Sequence, residues 1–260
     1  MARSSRRANP EGRMPLLAHL RELRKRVVLA AVGLVVGAVV GWFCYNPVFE
    51  ALQRPLLDAA TDAGKDVRLN FTGLASALDM QIKVSLFLGV LITSPWWLYQ
   101  LWAFVTPGLT RKERRYAFGF LGAAVPLFAA GAFMAWLMLP RAVTILTDFV
   151  PDGASNLTDA QGYLSFVMRL ILAFGIACVL PVVLVALNFV GLVSARALLA
   201  GWRWAVFLVF LFSAVMTPTP DAITMIIVAI PMCLLYFAAV GVAAVHDRRV
   251  AREQAERLAA

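Results

Sequence analysis

The chain has 260 residues, 61% of them hydrophobic and 15% charged, where a soluble domain carries about 25% charged residues, and its net charge is +9. The apolar residues form long uncharged blocks, which excludes a water-soluble core, and blocks far longer than the roughly 10-residue alternating strands of a barrel exclude that architecture too. The basic residues stand at block ends without interleaved aromatics, so nucleic acid is not an expected partner.

A hydrocarbon core ~30 Å thick needs about 20 apolar helical residues to cross it, and backbone groups inside it must pair within the helix. Blocks of this kind occupy 27–45, 84–107, 116–140, 161–190, 197–216 and 222–245. The expected fold class is an all-α membrane protein with six transmembrane helices, and an even number puts both termini on one side. Eighteen of the 24 basic residues fall in the N-terminal arm, the 111–115 loop, the 191–203 loop and the tail after Val245. That side is expected to be cytoplasmic, because basic residues mark the side that is not translocated. The expected organisation is a single integral membrane domain over 1–260: a basic arm 1–14, a six-span core 15–245 and a cytoplasmic tail 246–260.

The first block follows a basic arm, as in a secretory signal. At 27–45 it is too long for a signal's apolar region and no small-residue cleavage site follows, so it is expected to be a retained span. Segment 48–60 alternates apolar and polar residues at helical spacing, and Pro55 lies in it; a short interfacial helix is expected. Lys83 is spaced to pair with Asp79 at i,i+4. Pro95 removes a backbone bond from the second block and predicts a kink, while Pro107 and Gly108 end the block. Arg169 interrupts the fourth, where it either snorkels to an interface or has a buried partner. The fifth and sixth blocks meet in a tight turn with Pro218, Pro220 and Asp221, and Asp221 can cap the last helix. The uncharged stretch from Trp204 to Pro220 is short for a crossing, to which either snorkelling of Arg203 or local thinning of the bilayer is the expected adjustment.

Motifs for chemistry are missing. No phosphate-binding loop, GxSxG or HExxH exists, and the two histidines, His19 and His246, lie at the ends of the chain. Cys44, Cys178 and Cys233 are far apart in apolar sequence, as packing residues are. We expect no enzyme, no cofactor and no metal. A small-molecule transporter is also disfavoured: no internal repeat is visible and the first and third blocks carry little polar content at mid-depth.

Two basic segments each hold one acid. Glu22 is the only acid between Gly12 and Glu50 and is surrounded by Arg21, Arg24, Lys25 and Arg26. Glu113 stands among Arg111, Lys112, Arg114 and Arg115. From the residues alone, Glu22 reads as a surface ion pair on a membrane-lying helix marked by Leu16, Leu20, Leu23 and Val27. Trp96, Trp97 and Trp102 read as an aromatic belt.

These segments resemble the TatC family, the polytopic core subunit of the twin-arginine protein translocase. The pattern HLxELRxR is met by His19, Leu20, Glu22, Leu23, Arg24 and Arg26. The pattern PxxxYQxWxFxxPGLxxxERR is met by Pro95, Tyr99, Gln100, Trp102, Phe104, Pro107, Gly108, Leu109, Glu113, Arg114 and Arg115. Tyr163 to Phe166, Phe174-Gly175 and Pro181 match the family's fourth span, and Thr217 to Asp221 with Ala229 to Met232 match its last hairpin. The likeness covers about 15–245.

The resemblance implies six tilted helices in a concave, cup-like bundle in the cytoplasmic (inner) membrane. It implies a signal-peptide receptor and scaffold that exports folded proteins, driven by the proton-motive force. The partners it implies are TatA- and TatB-like single-span proteins, the twin-arginine signal peptides of cargo, and further copies of the chain; apart from the resemblance, the basic residues around the two acids are expected to attract anionic membrane lipid. It assigns arginine recognition to Glu22 and Glu113, with Leu20, Arg24, Gln100 and Phe104 around them. It assigns partner contact to Pro218, Pro220, Asp221 and Thr224, and structural roles to Pro95, Pro107, Gly108, Pro181 and Pro231, to which the residues themselves add Pro55 and Lys83 as structural positions. The recognition chemistry is sound, because a carboxylate meets the planar guanidinium fork in a way that lysine cannot copy. The chain departs from the family in lacking an acid or amide just before Pro181, where Cys178-Val179-Leu180 stands, and in carrying Thr224-Met225 where many members have glutamine.

Overall fold

The computed structural model describes residues 16–62, 67–71, 73, 75–105, 114–148, 156–216 and 222–259. It is nearly all helical: α1 (Leu16–Phe43), α2 (Tyr45–Asp62), α3 (Ser76–Ile92), α4 (Ser94–Val105), α5 (Arg114–Asp148), α6 (Ala160–Phe189), α7 (Ala195–Ala200), α8 (Trp202–Met216) and α9 (Ala222–Ala259), with two four-residue strands, β1 (Val67–Asn70) and β2 (Asn156–Asp159).

Four helices are long and apolar enough to cross a membrane, and a fifth crossing is available if α3 and α4 form one bent span. Their surfaces suit lipid. Along α1, Val28, Val32, Val35, Val36, Val39 and Val40 are all exposed, an apolar stripe that water would penalise.

The core is built around α6, with α5 and α9 packed on it. Leu164, Val167, Ile171 and Phe174 meet Met80, Val84 and Phe87 of α3, Ala135 and Leu139 of α5, and Val228 and Met232 of α9. A second cluster joins Leu98 and Trp102 of α4, Phe120, Ala124 and Phe128 of α5, and Val179 and Ala186 of α6. Glycine lets these helices approach closely. A Cβ on Gly37 of α1 would lie 2.9 Å from the Gly89 carbonyl oxygen of α3, and one on Gly131 of α5 would lie 2.5 Å from the Phe174 carbonyl oxygen of α6.

Several elements differ from the sequence reading. The second block begins at Ser76 and is split: α3 and α4 meet at a 61° bend. Pro95 is the second residue of α4, where its ring and missing N–H prevent α3 from continuing straight. The fifth block is split at Gly201 into the one-and-a-half-turn α7 and the 15-residue α8. The tail after Val245 is an unbroken continuation of α9. The two strands were not foreseen in an all-α reading. They pair in parallel, Val67 opposite Asn156 and Asn70 opposite Asp159, which ties the chain after α2 to the chain before α6. Asp159 then caps α6, its carboxylate accepting from Gly162 N at 2.8 Å.

Candidate functional site

The first turns of α1 run antiparallel to α4, along its length, in a seam with three rungs. The rings of His19 and Phe104 stack at 4.6 Å between centroids. Arg26 donates Nη1 to Gln100 Oε1 at 3.0 Å. Trp96 donates Nε1 to the Leu29 carbonyl at 2.8 Å. Positions 96, 100 and 104 repeat every four residues, so one face of α4 supplies all three. Trp96 is therefore an interhelical tie as well as a belt aromatic.

Glu22 sits beside this seam, half-buried, with its Oε1 2.7 Å from Arg26 Nε. Gln100 is buried and Phe104 half-buried. Leu20 and Arg24 are exposed; each is two positions from Glu22, and residues two apart on a helix do not share a face. The structure thus brings Glu22, Gln100 and Phe104 to one place and leaves Leu20 and Arg24 off it. Arg26 and His19 belong to this place as well. Both stand in the first motif; the Glu22–Arg26 pair is legible from its i,i+4 spacing, while the contacts of Arg26 with Gln100 and of His19 with Phe104 appear only with the docking of α4. Glu113, Pro107 and Gly108 lie outside the described residues, as do Pro218, Pro220 and Asp221, where the tight turn is expected. Thr224 stands in the first turn of α9.

The remaining residues are scaffold. Pro55 is buried within α2 beside Leu52 and Leu56, while Glu50, Arg54 and Asp58 of the same helix are exposed. Lys83 pairs with Asp79 at 2.6 Å, as its spacing predicts. Asp79 also accepts from Gln161 Nε2 at 2.8 Å, a tie from α3 to α6. Pro181 is buried within α6, and Pro231 lies half-buried within α9. Arg169 is exposed, not buried against a partner. Val179, in the stretch where many TatC members carry a polar group, is packed in the apolar cluster of α4, α5 and α6.

The grooves flanking α6 are apolar. One of about 420 Å³ runs between α4, α5, α6 and α9 past Trp102, Phe120, Pro181, Val182 and Ala239. Another of about 460 Å³ lies between α6, α8 and α9. Neither offers the convergent polar groups of a small-molecule site, and among the described residues no cluster of three or more metal-ligating side chains occurs.

Comparison with known proteins agrees with this architecture. Residues 18–231 match the family model described as "Sec-independent protein translocase protein (TatC)". A TatC from Xylanimonas cellulosilytica is 63% identical over 243 residues, covering 94% of this chain and 88% of its own length. The TatCy of Bacillus subtilis is 30% identical over 244 residues, covering 93% of each. A crystal structure of the twin arginine translocase receptor TatC in DDM superposes with a TM-score of 0.72 at 32% identity, covering 86% of this chain and 99% of that one. A second crystal structure of that receptor superposes with a TM-score of 0.68 at 30% identity. These proteins are membrane subunits of a protein translocase and not enzymes. With a family match across most of its length and the same helical fold, this chain belongs to the TatC family.

Proposed function

We propose that this chain is the receptor and scaffold subunit of a twin-arginine translocase. It reads the adjacent arginines of an export signal with Glu22 and Glu113 and exports folded cargo across the cytoplasmic membrane. The observation that carries the reading is the α1–α4 seam: a half-buried carboxylate, Glu22, held beside Gln100 and Phe104. Two adjacent guanidinium groups need two acceptors, and Glu113 follows α4 closely enough in sequence to supply the second. Leu20 and Arg24, exposed on α1, are assigned to the signal residues flanking the arginine pair.

The same reading gives one integral membrane domain with six crossing segments, formed by α1, α3 with α4, α5, α6, α8 and α9, in a cup with both termini in the cytoplasm. The charge asymmetry of the loops supports this orientation. TatA- and TatB-like single-span proteins dock near the α8–α9 turn, at Pro218, Pro220, Asp221 and Thr224, and copies of the chain associate in the working complex. Transport draws on the proton-motive force. The basic residues around Glu22 hold anionic lipid at the cytoplasmic face.

The test is photocrosslinking from position 22 or 113 in membranes, offered an Arg–Arg signal peptide and its Lys–Lys counterpart. Crosslinks to the Arg–Arg peptide alone are expected. Equal crosslinking to both, or to neither, overturns the assignment.

A further inference from the structure

Glu22 already has a guanidinium partner, and it belongs to the same chain. Arg26, one helical turn on, brings Nε to 2.7 Å from Glu22 Oε1 and donates Nη1 to Gln100 Oε1 at 3.0 Å. One side chain thus occupies Glu22, an acceptor assigned above to the signal, together with the neighbouring Gln100, and it bridges α1 to α4. Both members of the pair are about one quarter exposed, Arg26 at 23% and Glu22 at 27%, so a ligand can reach them from outside. Arg21, Arg24 and Lys25 beside them are exposed.

We propose that Arg26 is a built-in competitor for the arginine site: in the empty receptor its guanidinium holds Glu22 and Gln100, and an incoming signal arginine must displace it. The proposal rests on the assignment of Glu22 to signal recognition. Its physical content is an exchange of like for like. A single cation that displaces Arg26 gains a carboxylate partner only by breaking an equivalent one, so its net gain is small. A ligand with two adjacent arginines and an apolar segment gains contacts that Arg26 does not make, and it wins. A competitor scales the apparent dissociation constant of every cationic ligand by the same factor, the reciprocal of the unlatched fraction. It therefore leaves the arginine-to-lysine preference unchanged and sets a threshold, which keeps lone lysines and lipid amines off Glu22.

The experiment uses the full chain in lipid nanodiscs and two labelled peptides, each an apolar segment preceded by Arg–Arg or Lys–Lys. Arg26→Gln is expected to tighten both peptides by the same factor, about 3- to 10-fold, the scale of an exposed ion pair plus one cross-helix hydrogen bond. Lys25→Gln makes the same charge change one residue away and is expected to tighten them less than about twofold, the effect of screened surface charge. Glu22→Gln should lose a larger factor in the Arg26→Gln background than in the wild type. Equal tightening by Arg26→Gln and Lys25→Gln, or weaker binding with Arg26→Gln, overturns the competitor.

Arginine modification by phenylglyoxal, read at Arg26 by mass spectrometry, supplies an arm independent of binding strength. Arg26 is expected to react slowly in the wild type and faster in Glu22→Gln or with the Arg–Arg peptide bound. Equal rates in wild type and Glu22→Gln also overturn the competitor. A wild type that binds both peptides equally overturns the receptor reading, and the competitor with it. A wild type that discriminates while Arg26→Gln fails to tighten overturns the competitor alone.

Discussion

Asn188 near the end of α6 donates its Nδ2 to Asp247 Oδ1 of α9 at 2.8 Å, across 59 positions of sequence. The same amide donates to the Val193 carbonyl at 2.9 Å, and Asp247 Oδ2 accepts from Ala195 N, the first residue of α7, also at 2.8 Å. Tyr236 completes the clasp by donating its hydroxyl to the Leu198 carbonyl at 2.6 Å. The Asp247 carboxylate of α9 therefore ties the end of α6 to the start of α7. Asp247→Ala removes two hydrogen bonds to a charged group and is expected to cost about 1.5–3 kcal/mol. Asn188→Asp should cost at least as much, since it faces a carboxylate and a carbonyl with no donor. Unfolding midpoints in detergent check both, and a midpoint within error of wild type for Asn188→Asp would remove the clasp from the account.

Two glycines in α5 predict opposite signs. A Cβ on Gly131 meets the Phe174 carbonyl oxygen at 2.5 Å, while one on Gly119 meets nothing within 4 Å. Gly131→Ala should destabilise by about 1–3 kcal/mol through overpacking. Gly119→Ala should stabilise by up to ~1 kcal/mol through helix propensity. The same detergent unfolding series decides it, and a common sign for the two variants refutes the α5–α6 packing described above.

At Asp79 an ion pair and a hydrogen bond from a neutral amide compete for importance. The Lys83 partner is about 44% exposed, so Lys83→Ala should cost no more than ~1 kcal/mol. Gln161 reaches from α6 to the Asp79 carboxylate and also donates to the Ser76 carbonyl at 3.2 Å. Gln161→Leu leaves these acceptors short of a donor and should cost about 1.5–3 kcal/mol. A ranking in the reverse order, Lys83 above Gln161, would contradict the assignment.

For signal recognition, Glu113→Ala is expected to weaken Arg–Arg peptide binding by about 1.5–3 kcal/mol, the scale of a charge-assisted bond. Glu22→Ala should fall at the lower end of that range, because it also releases Arg26. Binding isotherms in nanodiscs provide the measurement, and unchanged affinity in both variants would refute the site.

The length of α8 predicts a membrane effect. Its 15 residues rise about 22 Å, less than a hydrocarbon core of ~30 Å. Lipid around α8 is expected to be thinner than lipid around α1 by several ångströms. A cryo-electron microscopy density map in a nanodisc reads the thickness directly, and uniform thickness around the whole protein rules the effect out.

Much of this architecture follows from local sequence. An apolar slab demands an unbroken apolar run, so the helices of 27–45, 116–140, 161–190 and 222–245 are visible in one dimension. Ion pairing at i,i+4 is equally local, and Lys83 with Asp79 was legible from spacing. So was the amphipathic helix around Pro55, and so was the break at Pro95, where a ring replaces an N–H. The resemblance to TatC rested on motifs that are themselves contiguous.

What needed the tertiary structure are the relations between segments far apart in sequence. Periodicity says which face of a helix is apolar but not which helix will cover it. Glu22 and Glu113 could be named as acids among bases, yet nothing local showed that Arg26 bridges Glu22 to Gln100, 74 residues on. That contact exists because Gly37 and Gly89 let α1 and α3 close up, and because the 61° bend at Thr93 directs α4 along the start of α1. Asp247 lies in the basic tail, and only the continuation of α9 past the last span carries it to Asn188. The pairing of β1 with β2 is likewise a contact between segments far apart in sequence. Composition, spacing and charge determined the helices; close approach and helix direction decided which polar groups meet, since those depend on contacts that no single segment contains.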